Sequence, residues 1–208
     1  MMKAMYFLKR RQGLDRGAFF KWWLGPHASL AKGLPGLRRY TVSLEAAGED
    51  GTFDGVAELW YDDAVAFDAS MAGAVGQAAH ADADAYVSRL EGLHLAEHKF
   101  VDTGKPHGFK LVAALKRRKD LSRAQFKDWW LKRHAPLVVV FPELARHQVD
   151  LVEDGPEGFA DGVAEVSFAS LEALKRVTSS KQVKDAQQDS VEHTEARYRL
   201  FVEEHPML

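Results

Sequence analysis

FFKWWLGPHASL, at residues 19–30, returns as FKDWWLKRHAPL at residues 126–137. Both stretches carry Trp-Trp-Leu and then, three residues after the leucine, a histidine. Working outward, Lys9 aligns with Lys116, and the same offset of 107 holds without a gap as far as Glu58 and Glu165, with 24 identities over 50 positions. Leu14/Leu121, Phe19/Phe126, Pro35/Pro142, Arg39/Arg146 and the whole of DGVAE at 54–58 and 161–165 are among them. Ungapped self-similarity of this extent marks an internal duplication. The Gly and Pro of TGKPHG, residues 103–108, suit a linker, so the expected domains are 1–103 and 108–208.

Each copy reads as the same series of elements. MKAMYFLK and FKLVAALK are short apolar runs suited to buried strands. Asp15 and Ser122 then stand at helix N-cap positions, and Ser122 with Gln125 makes a capping box. Phe19, Trp23, His27 and Leu30, with Phe126, Trp130, His134 and Leu137, step by four, four and three along one helical face. Pro26 and Pro136 should break or kink this helix beside its histidine. Alternation after Pro35 and Pro142 predicts a second strand, and DGVAELWY and DGVAEVSF, after a Gly/Asp-rich hairpin, predict a third. Helical composition over about 63–90 and 170–194 leads to a fourth strand at HKFVD and RLFVE.

The order strand, helix, strand, strand, helix, strand, repeated, is the split βαβ or ferredoxin-like plan. In that plan helices cover one face of an antiparallel sheet, and the bare apolar face needs a partner. The expected fold is therefore α+β: two tandem ferredoxin-like (βαββαβ) repeats packed sheet to sheet as an intrachain pseudo-dimeric α+β barrel.

Composition narrows the function. The formal net charge is −2 over 208 residues and the pI is about 6.5, which gives no sequence-wide basic field for nucleic acid or an anionic membrane. The runs Lys9–Arg11 and Lys116–Arg118 read as solvated strand ends. With no cysteine there is neither disulfide nor thiolate chemistry. MMKAMYFLKRR reverses the charge order of a secretory signal and APLVVVF is too short to span a bilayer, so a cytoplasmic protein is expected. No glycine-rich phosphate loop, nucleophile elbow or dinucleotide fingerprint is present. His94 and His98 lack acidic or histidine partners at ligand spacing, so neither metal nor cofactor is expected.

His27 and His134 are the candidate catalytic residues, because an imidazole near neutrality serves as general acid or base; a hydrogen bond to a carbonyl freed by the kink is the structural alternative. Trp22, Trp23, Trp129 and Trp130 are candidate walls of a substrate pocket, with Trp23 and Trp130 better placed for core packing and Trp22 and Trp129 offset toward the helix edge. Arg39 and Arg146 could clamp an anionic substrate group or pair with Glu58 and Glu165. Tyr40 and His147 occupy matching positions on a strand face and complete the candidate substrate-binding set. Asp54 and Asp161, each before a glycine, read as turn residues.

A strand, a helix ending in W-W-x-x-x-H-A-P-L, then P-x-L-x-R and another strand resembles the EthD-domain family, here as a tandem pair. The resemblance implies the dimeric α+β barrel fold and a role in small-molecule metabolism. The expectation is cofactor-independent acid/base chemistry (decarboxylation, dehydration, isomerisation or oxygenation) on an aromatic or lactone-like metabolite. The alternative is a non-catalytic ligand-binding or accessory protein of a degradation pathway. The expected partner is a small molecule, with no nucleic acid or membrane; association into a homodimer is left open.

Overall fold

The computed structural model describes residues 1–48, 51–105, 107–152 and 155–208. The tips of the two Gly/Asp-rich hairpins, 49–50 and 153–154, and Pro106 of the expected linker lie outside them. The chain divides into two compact units, Met1–His94 with Glu204–Leu208, and Leu95–Glu203. Strands β4 (Val87–Asp102) and β8 (Thr194–Pro206) give one stretch to each.

In the first unit, β1 (Met2–Arg10) and β2 (Arg39–Glu45) both pair antiparallel with β3 (Gly55–Tyr61). β1 is flanked by the first part of β4, and β2 by the end of β8, where Tyr40 and Leu208 exchange backbone hydrogen bonds. In the second unit, β5 (Phe109–Arg117) and β6 (Arg146–Leu151) pair with β7 (Gly162–Phe168), with β8 beside β5 and β4 beside β6. Registers repeat at the sequence offset: Tyr40 faces Leu59 as His147 faces Val166. The fold class is the expected one, α+β with two repeated ferredoxin-like halves.

Helices α1 (Arg16–Trp22) and α5 (Arg123–Trp129) start as anticipated. The Asp15 carboxylate accepts from the Ala18 amide at 2.8 Å, and Ser122 and Gln125 form the reciprocal box. The irregularity expected beside each histidine is present, though not as a break. Each helix instead widens through one π-turn, Trp23–His27 and Trp130–His134, before closing as α2 (Ala28–Ala31) and α6 (Ala135–Val139). Pro26 lies inside the first turn, and Pro136, two residues past the second, leaves the Lys132 carbonyl within that turn without its usual amide partner, so the irregularity falls where proline was expected to put it.

The glycine of DGVAE explains why that motif travels with the tryptophans. A Cβ on Gly55 would lie 2.5 Å from the Ser43 carbonyl and 2.9 Å from the Trp23 ring. One on Gly162 would meet the Asp150 carbonyl at 2.7 Å and the Trp130 ring at 2.9 Å. The inner indole of each pair lies against bare backbone and is fully buried, with Phe19 or Phe126 packed beside it.

The aspartates of DGVAE hold the hairpin ends. Asp54 accepts from the Arg10 amide at 2.9 Å and Asp161 from the Arg117 amide at 3.0 Å. The arginine side chains close onto the same carboxylates, with Lys9 and Lys116 at 3.4 and 3.2 Å. The basic runs are therefore partly pinned by ion pairs, where charge spacing alone had them solvated. Two more corrections concern length. Helix α4 (Ala74–Asp84) ends before residue 87, and β4 and β8 begin there and at Thr194, well before HKFVD and RLFVE. Burial alternates at Leu93, His94 and Leu95, a strand signature that the Ala-rich stretch before it obscures.

Candidate functional site

An α-helix advances about 100° per residue, which would put Trp22 and His27 roughly 140° apart. The wider π-turn brings them round to one side. Their ring centroids lie 4.6 Å apart, and those of Trp129 and His134 4.9 Å. The outer tryptophan of each pair thus joins the histidine, where regular helical spacing had matched it to the inner one. Trp22 and Trp129, expected toward the helix edge, are buried.

What they share is a carboxylate. Trp22 Nε1 donates to Asp82 Oδ2 at 3.0 Å, and His27 Nδ1 lies 2.8 Å from the same oxygen. In the second unit Trp129 Nε1 donates to Asp189 Oδ2 at 3.0 Å, with His134 Nδ1 at 2.8 Å. Asp82 comes from α4 and Asp189 from α8 (Lys181–His193), and they too are separated by the offset of 107. Neither was singled out in the sequence, because visible identity stops at Glu58 and Glu165. Extending the offset to acidic residues alone would have found them.

A carboxylate only accepts, so Nδ1 of each histidine carries the proton and Nε2 keeps its lone pair. Burial lowers the His27 and His134 pKa values, and the hydrogen bond and charge of the aspartate only partly oppose it. The side chains are 12% and 8% exposed, so the imidazoles are largely screened and neutral at neutral pH. Each trio fixes a neutral imidazole whose Nδ1–H is held by the aspartate and whose Nε2 carries the lone pair.

Both histidines border a small cleft between helix and sheet, of about 70 Å³ in each unit. Tyr6, Trp23, Tyr40, Leu59 and His80 line the first with His27. Burial pushes the Tyr6 phenol up to about 12 and raises that of Tyr40 further, so both are hydroxyl donors. Leu111, Phe141, Val166, Gln187, Ser190 and Arg199 are among the residues lining the second with His134. Tyr86 stacks on Trp22 at 4.3 Å, and His193, 107 positions on, stacks on Trp129 at 4.5 Å.

The remaining candidates lie apart from these clefts. Arg39 sits 3.4 Å over the Trp60 ring, and Glu58 pairs with buried Lys3 at 2.8 Å. Arg146 bonds to His107 and Gln148 rather than to Glu165, which pairs with Lys110 at 2.5 Å. His147 is fully buried against the Glu165 carbonyl at 3.1 Å and does not border the second cleft, whereas Tyr40 borders the first. Trp130 packs in the core of the second unit. Asp54 and Asp161 are structural. Among the described residues no group of acidic, histidine or cysteine side chains is arranged for a metal ion, and no helix is long and apolar enough to cross a membrane.

The EthD domain family matches residues 11–89 and 118–195, most of the chain, and the protein belongs to that family as a tandem pair of its domains. An anthrone oxidase-like protein of known structure is similar over 99% of this chain and 93% of its own, with a TM-score of 0.74 and 10% identity. A Lactobacillus acidophilus protein assigned as a monooxygenase matches 100% of this chain and 94% of its own, with a TM-score of 0.57 and 11% identity. A mutant chlorite dismutase from Candidatus Nitrospira defluvii matches 99% and 92%, at 0.55 and 10%. At such identities the likeness is one of fold. Among curated proteins none matches.

Proposed function

We propose that this EthD protein is a small-molecule enzyme in which an aspartate-held histidine, His27 or His134, takes a proton from an apolar, aromatic or lactone-like substrate. One observation carries the reading: tryptophan, aspartate and histidine meet on one carboxylate oxygen in both units, each histidine facing a cleft. Orienting one imidazole nitrogen so that the other is a free base is what general-base catalysis requires. A purely structural histidine would have no need of a cleft. The clefts are mostly apolar, which suits a flat carbon acid or phenol. Oxidase, oxygenase and dismutase names among proteins of the same fold agree with metabolic chemistry on small molecules. Decarboxylation, dehydration, isomerisation and oxygenation all begin or end with such a transfer, and none of the clefts' residues requires a cofactor for it.

The test is a turnover screen of phenols, aromatic acids, quinones and lactones by mass spectrometry, with His27→Ala, His134→Ala and the double variant. Removing a working general base costs on the order of 10²–10⁴ in kcat. The parental kcat/KM should rise with pH through a pKa below 6.5 and then level, because the neutral imidazole is the active form and burial lowers its pKa. Parental rates in the double variant would remove the proposal. Ligand binding without turnover, indifferent to pH, would favour an accessory binding protein.

A further inference from the structure

The second cleft differs from the first by one charge. Position 92 is Gly in the first repeat, and its counterpart 107 residues on is Arg199. The two positions exchange bulk with a neighbouring strand. In the first unit the Tyr6 ring lies against Gly92, close enough that a Cβ there would be 2.8 Å from it. In the second unit the counterpart of Tyr6 is Ala113, whose cross-strand partner is Arg199. A phenol reaches into the first cleft from β1; a guanidinium reaches into the second from β8.

The Arg199 guanidinium makes no hydrogen bond or ion pair to any described residue. This sets it apart from the arginines nearby, since Arg197 donates to Thr194 at 2.8 Å and Arg117 pairs with Asp161 and Glu157. It borders two adjoining hollows, one holding His134, Gln187 and Ser190, the other Phe141, Phe201 and Thr178. The charge therefore stands in a mostly apolar cleft whose other polar side chains are His134, Gln187 and Ser190, where a guanidinium favours a planar two-oxygen anion. Although the residue is open to solvent on one side, partial burial of the guanidinium and the like charge of Arg197 both weigh against its protonated form, a cost that an anionic ligand would relieve.

We propose that the second cleft takes a small, largely apolar molecule carrying one carboxylate, held by the Arg199 guanidinium in the same cleft as His134. The first cleft, with tyrosine hydroxyls and no cation at the matching position, takes uncharged molecules. The proposal rests on reading the clefts as substrate sites and names the substrate class of the second.

The experiment compares benzoate with its uncharged isostere benzamide by calorimetric titration of the full chain. Charge-assisted hydrogen bonds of this kind correspond to roughly 10- to 100-fold in affinity. The parent should prefer benzoate by that factor, Arg199→Gln should lose the preference, Arg199→Lys should keep part of it, and Arg197→Gln should keep all of it. Circular dichroism checks that each variant is folded; Arg199 is exposed enough for the exchange to be tolerated. No preference in the parent, or an undiminished one in Arg199→Gln, overturns the proposal. His134→Ala should retain the benzoate preference while losing turnover, so anion recognition and proton transfer can fail separately.

Discussion

The two clefts keep the same centre and have different rims. Tryptophan, aspartate and histidine recur with distances matching to 0.1 Å or better, and the indole over bare glycine recurs behind them. Around that centre Tyr6 has become Ala113, His80 Gln187, Tyr86 His193 and Gly92 Arg199. The retained residues depend on one another: three side chains share one oxygen, and neither glycine can gain a carbon unless the tryptophan above it moves. The flanking residues share no common atom of that kind and can change one or two at a time. A duplicated chain can thus hold one chemistry and offer it to two kinds of ligand.

The largest expected effect on stability tests the packing half of that comparison. Truncating a buried tryptophan costs about 3–5 kcal/mol. Trp23→Ala and Trp130→Ala should both fall in that range in urea unfolding, with Trp130→Ala near its top. Trp23 borders the first cleft, so its removal enlarges a space already present, whereas the Trp130 ring is enclosed and would leave a new void. The reverse order would mean that the second unit relaxes around the loss, and the two cores would not then be equivalent.

This packing was largely legible in the sequence, and the site was legible in part. Repetition at one offset fixed the strand order, the capped helix and both histidines, because apolar periodicity and caps are local signals. Two features were hidden. The π-turn changes which tryptophan meets the histidine, and the prolines, Pro26 inside the first turn and Pro136 just past the second, mark that the helix is disturbed there without showing that it widens. Asp82 and Asp189 lie in helices that share only Ala79/Ala186 besides, so only the offset identifies them. Arg39 and Arg146 drew attention by recurring, yet the cation bordering a cleft is Arg199, which does not recur. Identity between copies points to the shared chemistry and is blind to what distinguishes them.

Acid sensitivity should separate the halves next. His147 is fully buried and its pKa is lowered to about 4, chiefly by burial, against 6.5 in the unfolded chain. Between those values the unfolded chain binds a proton that the folded one does not. Stability is therefore full above pH 6.5 and falls as pH drops toward 4, by up to about 3 kcal/mol at about 1.4 per unit. In His147→Tyr, which installs the residue of the first repeat, this loss should shrink by about 2–3 kcal/mol between pH 7 and pH 4. The lowered pKa values of His27 and His134 act in the same direction, but they are present in both proteins and cancel. An unchanged acid profile would mean that the ring is not held neutral in the fold.

The smallest effect concerns how each helix starts. Asp15 caps α1 with one hydrogen bond, from the Ala18 amide, and nothing returns the contact, since Ala18 has no polar side chain. Ser122 caps α5 with a 3.2 Å bond from the Gln125 amide, and Gln125 Oε1 accepts from the Ser122 amide at 2.9 Å. Loss of either cap side chain costs about 1 kcal/mol. The aspartate is helped by its charge at the positive end of the helix and the serine by its reciprocal partner. Salt separates the two causes. Asp15→Ala should cost less at high ionic strength, where the charge is screened, while Ser122→Ala should cost the same. Ser122→Ala and Gln125→Ala should also be non-additive, by about 0.5 kcal/mol in a double-mutant cycle. Strict additivity would mean two independent bonds that happen to share a turn, and the starts of the two helices would then differ only in charge.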